Sequence, residues 1–289
     1  MRYLKRTRIG VSLLIIATGY ALLLGGSASL AQDRSDQVRR FTRALEFDYV
    51  SWTMQALGIK LGYFGLTAPG YLSEVDRAQL VHDYLDQVRE SSRLEAELES
   101  ALADPTVADP QLAARPLMLE VEQQRERLDA LQPLAESVLQ ENVAAVLDDW
   151  GLGIGGTAWP PVSFRFSQLP VALIVSPRDA IRQDANIQLE DTLSLEDQIA
   201  LERSVESELD VSALVVPIGG LSTYPTMVAE TPALDWLSET IAHEWVHHYL
   251  AFRPLGLGYS VTPEMRAINE TVAGLVGRQI GREVLRRYY

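Results

Sequence analysis

The chain has 289 residues, 47% of them hydrophobic, enough to build one sizeable core or two small domains. Its formal charge of −14 repels nucleic acid and anionic lipid, so DNA and RNA are excluded as expected partners. No cysteine is present, which rules out disulfides, thiolate metal sites and cysteine nucleophiles.

Arg2, Lys5, Arg6 and Arg8 precede an uncharged run from Ile9 to Gln32, with an apolar centre at Val11–Leu24. That is the pattern of an export signal. Ser29-Leu30-Ala31 offers small residues for cleavage, which would give a secreted product. The run is also long enough to span a bilayer, for which about 20 residues suffice. We take residues 1–31 as a signal anchor. The cell membrane is then a partner through that helix, and the acidic remainder lies outside the cytoplasm. Secretion after cleavage is the alternative.

Residues 32–150 read as a helical region. An apolar and aromatic stretch, Val38–Leu66, ends in glycines and Pro69-Gly70. Ser73 has the chemistry of an N-cap for a charged amphipathic helix reaching about Leu102. Two Asp-Pro pairs in Ala103–Pro110 disfavour helix and mark a turn. A second amphipathic helix follows from Gln111 to Trp150, with bends expected near Pro116 and Pro133. Together they predict a long helical hairpin whose role is structural. His82 falls in its first helix and reads as ordinary.

The glycine- and proline-rich stretch Gly151–Pro161 is a break in composition and the expected domain boundary, leaving 151–289 as a second domain. Its glycines lack the lysine and the preceding strand of a phosphate-binding loop. Strands are predicted at Val162–Ser167, Val171–Val175 and Val211–Pro217, with an acidic helix at Leu193–Leu209 and an extended segment over Leu221–Val228. The fold class is therefore α+β and mainly helical, with a small sheet packed on a pair of helices.

Chemistry concentrates in that helix pair. Of the four histidines, three lie at His243, His247 and His248. Four residues advance an α-helix about 6 Å and leave two side chains about 40° apart, so His243 and His247 can reach one metal ion. Glu244 sits about 100° round, where a general base for water would have to be. Thr231-Pro232 supplies an N-cap and a first-turn proline for this helix, which ends before Arg253-Pro254. Thr262-Pro263 starts a second helix with the same chemistry, running to about Arg287. Zinc needs at least one more protein ligand, which without cysteine must be an acid or His248. Glu270, two turns into the second helix, is the strongest candidate. Ala273, Gly274, Gly277 and Gly281 follow it as a stripe of small residues. Each helical glycine costs about 1 kcal/mol against alanine, a cost that close approach of another helix would offset.

His243-Glu244-Trp245-Val246-His247, followed by Asn269-Glu270-Thr271-Val272-Ala273, resembles the gluzincin metallopeptidases, the thermolysin-like enzymes. The likeness runs from Thr231 to Glu283 and does not extend upstream. It implies a zincin-like helix pair in which His243, His247 and Glu270 bind Zn2+ and Glu244 activates water to hydrolyse a peptide or protein substrate. Members of this family place an aspartate four residues after the glutamate ligand, to orient a histidine; here that position is Gly274. They also use a tyrosine or histidine to stabilise the oxyanion, for which Tyr259 is the candidate, with Tyr224 and His248 behind it. The extended segment Gly219–Val228 could align substrate as an added strand, interrupted at Pro225. A helical scaffold whose degenerate zinc domain binds a partner protein is the competing function. Oligomeric state is not legible from the sequence.

Overall fold

The computed structural model describes residues 34–63 and 71–289. The expected signal or anchor at 1–31 and the Pro69-Gly70 punctuation lie outside them. Single-pass membrane anchoring is not supported: among the described residues no helix is long and apolar enough to cross a bilayer. The most apolar early helix, Tyr49–Tyr63, has 15 residues, about 22 Å at 1.5 Å per residue, against a hydrocarbon core of about 30 Å.

The fold is α+β and mainly helical. Two short helices, α1 (Arg34–Thr42) and α2 (Tyr49–Tyr63), lead into the hairpin of α3 (Glu74–Leu102) and α4 (Pro110–Asp149). Ser73 caps α3 in a reciprocal box with Asp76, and Asp109 caps α4 ahead of Pro110. Both prolines expected to bend the second helix lie inside α4, which continues through them to Asp149.

Two sheets follow. The first runs β3 (Ala185–Leu189), β2 (Val171–Pro177), β4 (Val211–Pro217), all antiparallel, with α5 (Leu195–Leu209) joining β3 to β4. β3 is not apparent in the sequence, because Asn186 and Gln188 interrupt its apolar residues; they face out while Ala185, Ile187 and Leu189 are buried. The second runs β1 (Phe164–Phe166), β6 (Thr226–Val228), β5 (Gly220–Leu221), with β1 parallel to β6. The single extended segment expected over Leu221–Val228 is thus two strands folded on each other. The outer edge of β1 is satisfied by side chains of α4 rather than by another strand. Glu136 accepts from Phe166 N at 2.8 Å, Gln140 accepts from Phe164 N at 3.0 Å, and Gln132 donates to Phe166 O at 2.9 Å.

The chain ends in α6 (Leu234–Ala251), the short α7 (Pro254–Leu257) and α8 (Pro263–Tyr288). α8 starts as expected, with the Thr262 side chain accepting from Met265 N. α6 does not: its N-cap is Ala233, without a side-chain bond, and Thr231-Pro232 lies outside it. Two apolar cores result. One joins the hairpin (Tyr84, Leu128, Leu139) to β1, β6, α6 and α8. The other packs Val38 of α1 and Val205 of α5 on the β3-β2-β4 sheet. The Gly151–Pro161 stretch links elements of the first core and ties α6 down: Trp245, 2% exposed, donates its indole N–H to Pro160 O at 2.6 Å.

Candidate metal centre

α6 and α8 run antiparallel in close contact, and the small residues of α8 make that possible. A Cβ built on Gly277 would stand 2.8 Å from the backbone of His243, and one on Gly281 would stand 2.8 Å from the backbone of Glu239. Ala273, one turn before Gly277, is fully buried. Gly274 is not part of this seam; a Cβ there meets nothing within 4 Å. The stripe is therefore Ala273, Gly277 and Gly281, spaced by four residues, which is the repeat that keeps one face of a helix toward one partner.

That contact brings Glu270 over the two histidines. The Nε2 atoms of His243 and His247 are 3.1 Å apart, and Glu270 Oε2 lies 3.6 Å from the first and 3.4 Å from the second. Donor atoms at the corners of a tetrahedron around an ion with bonds of about 2.0–2.1 Å are separated by roughly 3.3–3.4 Å. The three separations straddle that value, so the residues present fit a small divalent ion, and they form a cluster that could hold a metal. Burial pushes Glu270 upward, but the two neighbouring imidazoles and the hydrogen bond from Tyr259 outweigh it and hold the carboxyl well below the usual range. It stays charged where a cation would sit.

The ring of His247 is oriented by Asn269, the residue beside Glu270. Asn269 is 1% exposed, and its amide nitrogen donates to Leu255 O at 3.3 Å. Its oxygen must then face His247 Nδ1, 2.8 Å away, as acceptor. Nδ1 carries the proton, and Nε2 is left with its lone pair toward the cluster. With an asparagine already on this ring, His247 is oriented without an acid at position 274.

Glu244 lies beside the cluster at the foot of the cleft, 8% exposed. Ser222 Oγ donates to its carboxylate, and a Cβ on Gly220 would come within 2.7 Å of Oε1, so β5 and the turn after it close over this side chain. Burial pushes the Glu244 carboxyl upward, with the Ser222 hydrogen bond and the two imidazoles pulling it back. Tyr259 donates its hydroxyl to Glu270 Oε1 at 2.6 Å and lines the same cleft. The other two oxyanion candidates are elsewhere. Tyr224 is 1% exposed with its hydroxyl on Pro161 O at 3.0 Å, and His248, 2% exposed, packs edge-on against it.

The cleft measures about 710 Å³. One wall is α6, Tyr259 and α8; the other is Ser35 of α1 with Gln183 and Asp184, which precede β3, and Asn186 and Gln188 of β3. Neither that wall nor Ser222 stands out in the sequence, because nothing local marks a residue that meets the site through another element. Comparison with known protein families, curated proteins and solved structures returns no match. The likeness to gluzincins therefore stands on the two short motifs.

Proposed function

We propose that the chain is a zinc-dependent peptidase of gluzincin type, with His243, His247 and Glu270 holding the ion. The observation that carries this reading is the near-tetrahedral spacing of those three donor atoms with Glu244 set beside them. Two imidazoles and one carboxylate are a donor set that suits zinc and leaves a fourth position open. A zinc ion supplies a Lewis acid that makes water acidic and polarises a carbonyl.

The chain's own groups do the rest. Glu244 takes the proton of the attacking water and delivers it to the departing amine. Its burial favours that shuttle, since a carboxyl raised above its ordinary range is a stronger base toward the proton of water. Ser222 holds the carboxylate in place between the two transfers. Tyr259 steadies Glu270 and presents its hydroxyl at the cleft, where it can turn to the oxyanion. β5 is the edge of its sheet beside Glu244, so an extended peptide can lie along it.

Glu244→Gln tests the reading. It is expected to lower kcat by about 10²–10⁴-fold, the usual contribution of a general base, while zinc content by mass spectrometry stays at one per chain. A wild-type chain that takes up no stoichiometric zinc, or a variant that cuts peptides as the wild type does, overturns it.

A further inference from the structure

Arg266 lies on α8 one turn before Glu270 and lines the same cleft. Residues four apart share a helix face, about 6 Å along the axis. Its guanidinium stands 5.6 Å from the ring of Tyr259, whose hydroxyl is on Glu270. One nitrogen, Nη1, donates to the neutral Gln183 Oε1 at 3.1 Å across the cleft, and Nε is buried with no hydrogen-bond partner among the described residues. The charge is permanent.

The surroundings do not neutralise it. Asp184, the nearby acid on the opposite wall, is 10% exposed and already taken by Arg182 at 2.7 Å and Arg34 at 3.7 Å. Glu270 is engaged by the two imidazoles and Tyr259. The rest of that wall, Ser35, Gln183, Asn186 and Gln188, is polar and uncharged. A guanidinium whose Nη2 makes no hydrogen bond among the described residues, in a cleft lined mostly by polar side chains, is suited to a carboxylate.

We propose that Arg266 is a specificity-determining residue that anchors a substrate carboxylate, so that the cleft selects peptides with an acidic side chain or a free C-terminal carboxylate near the bond to be cut. This rests on the peptidase reading above. An extended chain advances about 3.3–3.6 Å per residue, which puts the anchored group within roughly two residues of the scissile carbonyl.

The test uses the full chain loaded with zinc and amidated peptides that differ by Glu or Gln at each of the two positions flanking the cut on either side. A second set carries Gln throughout and ends in a free acid or an amide at the same places. Cleavage of wild type is measured as kcat/KM, and binding is measured by calorimetry on the Glu244→Gln chain. One Glu-for-Gln pair, or the free-acid pair, is expected to differ by roughly tenfold, the scale of one charge-assisted contact. The difference should shrink at high salt, collapse in Arg266→Gln, survive in part in Arg266→Lys, and turn toward lysine peptides in Arg266→Glu. Whichever set responds tells a side chain from a chain end. Peptides cut with no Glu-over-Gln or acid-over-amide difference overturn the anchor and leave the peptidase reading intact; so does a preference that Arg266→Gln and Arg266→Lys both retain in full. A zinc-loaded chain that neither cuts nor binds any peptide overturns the peptidase reading instead.

Discussion

The molecule contains two antiparallel helix pairs built by opposite means. α3 and α4 meet through large side chains, with Val81, Tyr84, Leu85 and Val88 facing Leu128 and Leu139. α6 and α8 meet through Ala273, Gly277 and Gly281, backbone against backbone. A seam of bulky residues supplies apolar burial and can relax around a change of volume. A seam without side chains supplies little burial of its own but fixes the distance between two helices. The first kind of contact makes the body of the core; the second holds Asn269 2.8 Å from His247, and Glu270 3.4 Å from His247 and 3.6 Å from His243.

That contrast can be broken by substitution. Leu128→Ala is expected to have the largest effect on stability, about 2–5 kcal/mol for a buried leucine, read by urea unfolding, yet to leave zinc affinity unchanged. Loss of zinc in that variant would show that the hairpin, not the glycine seam, sets the site.

A pH scan separates the pairs next. Burial holds His248 of α6 down to about 4, with backbone hydrogen bonds to Ser222 and Thr223 pulling the other way. Its folded pKa lies below the unfolded value near 6.5, so its contribution is present above pH 6.5 and is lost as pH falls toward 4. The loss is on the order of 3 kcal/mol. Unfolding of the zinc-free chain across that window should be steeper in wild type than in His248→Gln; equal slopes would remove His248 from the account.

Gly277→Ala puts a Cβ 2.8 Å from the His243 backbone. A loss of about 1–3 kcal/mol is expected from overpacking, together with weaker zinc binding by competition against a chromophoric chelator. Gly274→Ala, one turn back and open to space, should do the reverse. It should gain up to about 1 kcal/mol from helix propensity and bind zinc as wild type does. If the two alanines behaved alike, the seam would carry no positional information.

Some of this was legible locally. His243 and His247 face one way because four residues make just over one helical turn, and Thr262-Pro263 starts α8 because its cap needs no distant partner. The hairpin was readable from Ser73, the Asp-Pro turn and amphipathic periodicity. Thr231-Pro232 misled for the same reason that Thr262-Pro263 succeeded: the signal is local, and near Thr231 the chain is instead drawn toward β6 and the hairpin, where Glu230 accepts from Tyr84 and Arg125. β3 was hidden because its outward residues face a cleft and so are polar without being at a turn.

What the sequence by itself determined is that His243 and His247 share one helix face and that Glu270 lies on a second helix, since residue type and helical spacing act within a few residues. Tertiary structure decided which small residues form the seam, that Asn269 rather than an acid at 274 orients His247, and that Ser222 and β5 cover Glu244. It also decided that Arg266 faces a polar wall whose one acid, Asp184, is already paired with Arg182 and Arg34. Those relations depend on where separate elements come to rest, and packing of the whole core, not local propensity, sets that.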